Sequence, residues 1–286
     1  MADIRNVVVV GAGTMGSQIA LQTALSGRYQ VTLVDSAPGQ LERARAQNRK
    51  LVNRAVEKGR LIGPAAEAAL ERIKDSDDLQ MAAADAYLVI EAVFEDFDAK
   101  KDVFTILGER AKKDAILASN SSTIGISRLA GFTSQPERCC NMHFFHPVTV
   151  MQLCEVVRGP QTSEATAQAA MEFVRSIDRT PVLLQKEIWG FIVNRILFAA
   201  SEEAIRLLEA GVASAEDIDI AVQKGLNWPM GPFHLLDFSG LDIFYGAMKD
   251  RHRQGEGGDA PEVLRKLVEA GQLGRKTGKG FFDYPG

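Results

Sequence analysis

Cysteine is scarce in this chain: there are three in 286 residues, and two of them, Cys139 and Cys140, are adjacent. That excludes a disulfide framework, and no pair has the spacing of a zinc site. Reduced, buried thiols in a cytoplasmic protein are the expectation. Histidine is almost as rare, with four, so any imidazole chemistry has few carriers. Charge of one sign is not in excess either. A net charge of -4 gives no electrostatic reason to expect a nucleic-acid partner. No apolar run reaches the length of a membrane span, and the short run at the start lacks a cleavage site, so neither a membrane segment nor a targeting signal is expected. No internal repeat is evident, and "GEGGD" (255–259) reads only as a flexible loop. What remains is an ordinary globular composition, 46% hydrophobic and 24% charged, long enough for one large domain or two modest ones.

Short apolar runs are what the first part does have. "NVVVV" (6–10), "QVTLVD" (30–35), "AYLVIEAV" (86–93), "AILASN" (115–120), "CCNMHFF" (139–145), "QLCEVV" (152–157) and "TPVLLQK" (180–186) read as strands, with a helix over about 162–178 before the last. Several are continuous rather than alternating, as strands covered on both faces are. Alternation with helices predicts an α/β domain with a doubly wound, mostly parallel sheet over residues 1–186. From 187 to 286 the spacing turns helical. "EIWGFIVNRILFAASEEAIRLLEAG" stops at Gly211, a C-cap residue, and Ser214 with Asp217 forms a variant capping box for the next helix. The second domain is expected to be all-helical.

Three glycines follow the first strand: Gly11, Gly13 and Gly16, in the pattern G-x-G-x-x-G. The first allows a tight turn, the second a close approach to a pyrophosphate, and the third close helix–strand packing. Thr14 and Met15 lie between the second and third and belong to the same phosphate loop. The helix N-terminus attracts the phosphate charge. Asp35 ends the next strand at the spacing of a ribose-binding carboxylate. It would accept from the ribose hydroxyls and repel a 2′-phosphate, and no arginine follows it; NAD is therefore expected over NADP or FAD. A Rossmann-like cofactor unit is the reading.

Within this acidic chain, residues 43–60 are basic: Arg43, Arg45, Arg49, Lys50, Arg54, Lys58 and Arg60. Arg43, Lys50, Arg54 and Lys58 fall close together on a helical wheel beside Ala44, Leu51 and Ala55. A solvated face and a phosphate-binding face both fit that pattern.

Two of the four histidines lie in "NMHFFHPVTVMQLCEVV", His143 and His146, at a strand end where crevices open in such sheets. Glu155 lies in the next strand. Hydride transfer from an alcohol requires a base for the hydroxyl proton, and histidine titrates in the right range. A carboxylate on its far nitrogen would fix the tautomer. No metal is expected, since H-x-x-H is too close for a helical ligand pair and the chemistry needs none. "ASNSST" (118–123) supplies hydroxyls at the same crevice edge, and Asn194 is an amide inside an otherwise apolar helix.

Taken together, "VVGAGTMGSQIA", "VIEAVFED", "ASNSST", "HFFHPVTVMQLCEVV", "GFIVNRIL", "WPMGPFHLLDFSGLD" and "GRKTGKGFFDY" resemble the short-chain L-3-hydroxyacyl-CoA dehydrogenases, including bacterial 3-hydroxybutyryl-CoA dehydrogenases, over essentially the whole chain. The resemblance implies NAD-dependent oxidation of an (S)-3-hydroxyacyl-CoA. It implies His143 as base, Glu155 as its partner, and Ser122 and Asn194 at the reacting oxygen. Glu95, Lys100, Ser122 and Lys276 would contact the cofactor, and His146 takes the place of an asparagine that touches the nicotinamide end. The basic helix would hold the CoA phosphates, with Arg54 and Lys58 the matching positions. A homodimer through the helical domain is implied as well. Departures from the family pattern are His146 in H-F-F-N-P and Trp189 where proline is usual. Two other readings remain: a dehydrogenase of a free hydroxy acid of the carnitine or gulonate type, and a crystallin-like NAD-binding protein without activity.

Overall fold

The computed structural model describes residues 6–284. The chain divides into two compact units, the first running to Phe191 and the second starting at Ile192. The first contains β1 (Asn6–Val10), α1 (Thr14–Leu25), β2 (Gln30–Val34), α2 (Gln40–Glu57), α3 (Gly63–Glu71), β3 (Ile73–Ser76), α4 (Leu79–Ala84) and β4 (Leu88–Glu91). It continues with α5 (Phe97–Arg110), β5 (Ile116–Ser119), α6 (Ser127–Ala130), β6 (Cys139–Phe144), β7 (Leu153–Val157), α7 (Glu164–Ser176) and β8 (Thr180–Leu184).

The eight strands form one sheet in the order β3-β2-β1-β4-β5-β6-β7-β8. Every neighbouring pair is parallel except β6 and β7. The first six strands thus have the doubly wound dinucleotide-binding order, which reverses at β1. The apolar runs explain the two-sided burial. Val7, Val9, Leu88, Ile90, Ile116 and Ala118 face one core, shared with Ile19 of α1 and Phe173 of α7. Their neighbours Val8, Val10, Val89 and Leu117 face the other, shared with Phe104 and Leu107 of α5 and Leu129 of α6. A strand's side chains alternate between faces, so an unbroken apolar run serves two cores at once. Each valine of β1 so buried contributes roughly 1.5–3 kcal/mol.

The strand β3, "IKDS", is absent from the apolar pattern because it lies at the sheet edge and is half-buried. The helix expected from Glu187 begins only at Val193. Gly190 and Phe191 both have positive φ, +70° and +50°, which no helix continues through. The first unit also extends five residues past 186: Phe191 packs with Val157 and Leu184, and Glu187 accepts from the Ser127 amide (2.9 Å) and hydroxyl (2.6 Å).

The second unit is helical: α8 (Val193–Glu209), α9 (Ala215–Leu226), α10 (Pro232–Ser239), α11 (Leu241–Arg253) and α12 (Glu262–Glu269). Gly211 is left-handed just after α8 (φ +67°), and Ser214 accepts from the Asp217 amide while donating to its carboxylate. Two buried carboxylates organise the rest. Asp219 accepts from the Phe233 and His234 amides, and Asp237 from the Phe281 and Phe282 amides. All three cysteines are buried, and burial pushes the Cys139 thiol up to about 11. No helix among the described residues is long and apolar enough to cross a membrane.

Candidate active site

At the C-terminal end of β1 the chain turns into α1 through the glycine loop. Gly11 has φ +100°, and a side chain there would meet the Ala92 carbonyl oxygen at 2.6 Å. At Gly16 a Cβ would lie 1.8 Å from the Gly11 carbonyl oxygen, so the helix could not approach the loop. Gly13 is different: nothing in the chain lies within 4 Å of where its Cβ would be. The fold does not need glycine there, whereas a ligand approaching the backbone does. The N-terminus of α1 has no side-chain cap and no acidic residue in its first turn. Its first N–H groups and the helix dipole are left for an anion. These features fit a pyrophosphate.

Asp35 closes the loop from the side. Its Oδ2 accepts from the Ala12 amide at 2.7 Å and its Oδ1 from the Ala37 amide at 2.9 Å. Each oxygen keeps acceptor capacity for a ribose hydroxyl.

Across the sheet, β6 and β7 pair antiparallel with His143 directly opposite Glu155. Directly opposed residues share a face with their Cβ atoms about 5 Å apart, close enough for a hydrogen bond between them. His143 Nδ1 lies 2.9 Å from Glu155 Oε2, and His143 Nε2 lies 3.0 Å from the Ser122 hydroxyl. Both members of the pair are buried, at 4% and 1% exposure. With Glu155 as a carboxylate and His143 as a neutral imidazole, Nδ1 donates to Glu155 and the Nε2 lone pair faces Ser122. That imidazole can take a proton from a hydroxyl, while Glu155 stabilises the resulting charge.

Ser122 is held by a second network. Glu95 Oε1 accepts from the Ser121 hydroxyl (2.5 Å), the Ser122 amide (2.9 Å) and the Thr123 amide (3.0 Å). Its other oxygen pairs with Lys100 at 3.2 Å. Burial pushes the Glu95 carboxyl up, but Lys100 and the donors from Ser121 and Thr123 outweigh it and hold the pKa below the ordinary 4.5. Lys100 itself is 1% exposed and bonds Glu91 Oε1 at 2.7 Å. Glu91 also accepts from the Ser119 hydroxyl at 2.6 Å. Breaking such a buried pair by removing one partner costs roughly 3–5 kcal/mol. The ammonium of Lys100 is therefore buried against Glu91 and Glu95, and of these two carboxylates Glu95 is the exposed one. Asn141 secures the loop's far end, accepting from the Ile126 amide at 2.8 Å and donating to the Ile124 carbonyl at 3.2 Å.

The other expected residues are placed as follows. His146 is exposed, two residues past the end of β6. Asn194 lies half-buried in the first turn of α8. Lys276 bonds both Asp242 oxygens, at 2.6 and 2.7 Å. On α2, Arg45 pairs with Asp75 and Arg49 with Glu67, while Lys50, Arg54 and the C-cap residue Lys58, four residues apart, are exposed and form no ion pair among the described residues. Glu91, Asn141 and Glu187 were not anticipated. Glu91 and Asn141 had a legible signal, a polar residue inside an apolar strand; Glu187 had none. No cluster among the described residues could hold a metal ion.

The model of the 3-hydroxyacyl-CoA dehydrogenase NAD binding domain matches residues 6–188, and that of the family's C-terminal domain matches residues 190–284. The chain belongs to the 3-hydroxyacyl-CoA dehydrogenase family. Its first unit is an NAD-binding domain, and the family's members are oxidoreductases. A probable 3-hydroxybutyryl-CoA dehydrogenase of Deinococcus radiodurans is 43% identical, over 96% of this chain and 99% of that one. The 3-hydroxybutyryl-CoA dehydrogenase of Clostridioides difficile is 40% identical, over 97% and 99%. The crystal structure of the (S)-3-hydroxybutyryl-CoA dehydrogenase of Ralstonia eutropha superposes with a TM-score of 0.93 at 37% identity, covering 99% of this chain and all of that one.

Two outcomes test the site as described. Gly13→Ala should fold with nearly unchanged stability but bind NAD at least about tenfold more weakly, because its Cβ enters only ligand space. Gly16→Ala should lose stability first, and thermal melts with NADH fluorescence titration separate the two. The second concerns Glu95, whose depressed pKa contributes stability above its unfolded value that is lost as pH falls through the folded value. Urea unfolding should show Glu95→Gln weaker than wild type at pH 7, with the gap closing only at a pH below the ordinary carboxylate range. A gap of equal size at both pH values would mean that the charge holds nothing.

Proposed function

We propose that the chain interconverts an (S)-3-hydroxyacyl-CoA and its 3-oxoacyl-CoA, with His143 as the base. The observation that carries this reading is the buried imidazole of His143, bonded to Glu155 on one nitrogen and to Ser122 on the other, in an NAD-binding sheet. NAD, when bound, supplies the carbon that accepts or returns the hydride. His143 Nε2 takes the substrate hydroxyl proton, and Glu155 keeps the imidazolium stable and correctly turned. Ser122 donates to the reacting oxygen as charge develops on it. Asn194 takes its role at the substrate carbonyl from the family pattern, as do His146 and Lys276 at the cofactor.

The cations at the C-terminal end of α2 support a CoA substrate over a free hydroxy acid. Arg45 and Arg49 already have carboxylate partners, whereas Arg54 and Lys58 have none among the described residues and remain available to phosphates. A homodimer fits the second unit, where Ile196, Phe238 and Ile243 are more than half exposed. A cytoplasmic location fits three reduced thiols.

His143→Gln should lower kcat for acetoacetyl-CoA reduction by about 100-fold or more while leaving NADH affinity within about twofold. Turnover at the wild-type level would remove His143 as the base. Replacing Arg54 and Lys58 together by Ala should raise KM for acetoacetyl-CoA several-fold and leave that for free acetoacetate unchanged. Equal KM for the CoA ester in both proteins would favour the free hydroxy acid.

A further inference from the structure

We infer that Phe191 is a positioning residue for His143. Its backbone sits at φ +50°, a left-handed conformation that bulky side chains rarely adopt. Glycine would take that conformation without strain, and the preceding residue, Gly190, does so at φ +70°. The chain nonetheless carries a phenylalanine here, with only 1% of it exposed. A strained residue persists when its surroundings over-determine it, and such residues gather at functional sites.

The surroundings are specific. Phe191 packs on Val157 of β7 and Leu184 of β8, which are partners across the sheet. Val157 is two residues from Glu155, so it lies on the face that carries the His143–Glu155 pair. From that seat the Phe191 ring reaches His143, with centroids 5.5 Å apart and planes inclined by 58°. Phe145 meets the same imidazole at 4.5 Å and 57°. Hydrogen bonds at the two nitrogens fix the direction of the ring, but they resist tilting about the line that joins those nitrogens only weakly, and histidine's second side-chain torsion is broad. Two aromatic rings against it restrict that motion and keep water from the bond to Glu155. Phe145 is tied to β6 by sequence, but Phe191 arrives from the connection after β8. That connection is pinned where Glu187 accepts from Ser127, just beyond the loop that carries Ser122. One short segment thus fixes its place against both the Ser122 loop and the imidazole.

The inference rests on His143 being the base. Phe191→Gly and Phe191→Ala remove the same ring, but only the first relieves the backbone strain. Both should lose about 10- to 100-fold in kcat for acetoacetyl-CoA reduction, the scale of a small misplacement of a catalytic group. KM for NADH should stay within about twofold, because the glycine loop is untouched. The glycine variant should melt higher than the alanine variant yet be no faster. The Nδ1–H proton resonance of His143, assigned by its loss in His143→Gln, should broaden by solvent exchange in both. A glycine variant with wild-type kcat and an intact resonance overturns the inference and leaves Phe191 as packing alone. If neither truncation folds, Phe191→Leu preserves the seat on Val157 and Leu184 without a flat ring, and wild-type kcat there overturns it equally. Turnover that survives His143→Gln defeats the reading of the base itself. An inactive His143→Gln beside a fully active Phe191→Gly defeats only the role given to Phe191.

Discussion

One reversal of direction governs this site. All strand pairs of the sheet are parallel except β6 with β7, and that pairing sets His143 against Glu155. Two residues only twelve apart in sequence become cross-strand neighbours because the chain folds straight back. Parallel neighbours would need a crossover of a dozen or more residues between strands. The return also carries the connection of residues 145–152 over the end of β6, where ligand crevices open in doubly wound sheets. Burial then strengthens the pairing, since a hydrogen bond with charge on one side gains from a low local dielectric.

A second network meets the first on the other ring nitrogen. It begins with Glu91, fully buried at the end of β4, and runs through Lys100 to Glu95 and so to the loop of Ser121, Ser122 and Thr123. Glu91 alone would be an expensive buried charge, and so would Lys100. Joined, they fix the height of Glu95, and Glu95 fixes the loop. The imidazole is thus held from one side by sheet register and from the other by a buried ion pair. Neither holds it by flexible surface contacts.

Most of the first unit was legible because its inner strands are buried on both faces and two glycines of its first loop are steric necessities. Val7 to Val10 announce a central strand, and Gly11 and Gly16 admit no Cβ. The edge strand β3 was illegible for the same reason inverted: half-buried and polar, it leaves no apolar run. His143 and Glu155 could be named from residue type and strand position, but their opposition is a matter of register that composition does not carry. Glu187 and Phe191 left no pattern at all. Their roles come from a turn with two consecutive positive φ values, inside a stretch whose apolar spacing reads as helix. The periodicity there reflects burial of Trp189 and Phe191, and burial alone does not distinguish a helix from a tight turn packed on a sheet.

Asp35 shows how cofactor choice can be built into the folding of a loop. Its two oxygens tie down the amides of Ala12 and Ala37, one in the glycine loop and one after β2. A carboxylate holding both amides is kept in place, and a carboxylate at that position would repel a 2′-phosphate while still accepting from a ribose hydroxyl. Admitting NADP would mean replacing that carboxylate with a neutral or basic side chain. Both amides would then lose their acceptor, and the glycine loop would lose the tie that shapes it. A preference set by Asp35 would therefore be coupled to loop stability. Relaxing it requires a second change that satisfies Ala12 and Ala37, because one substitution at Asp35 removes the selectivity and the support together.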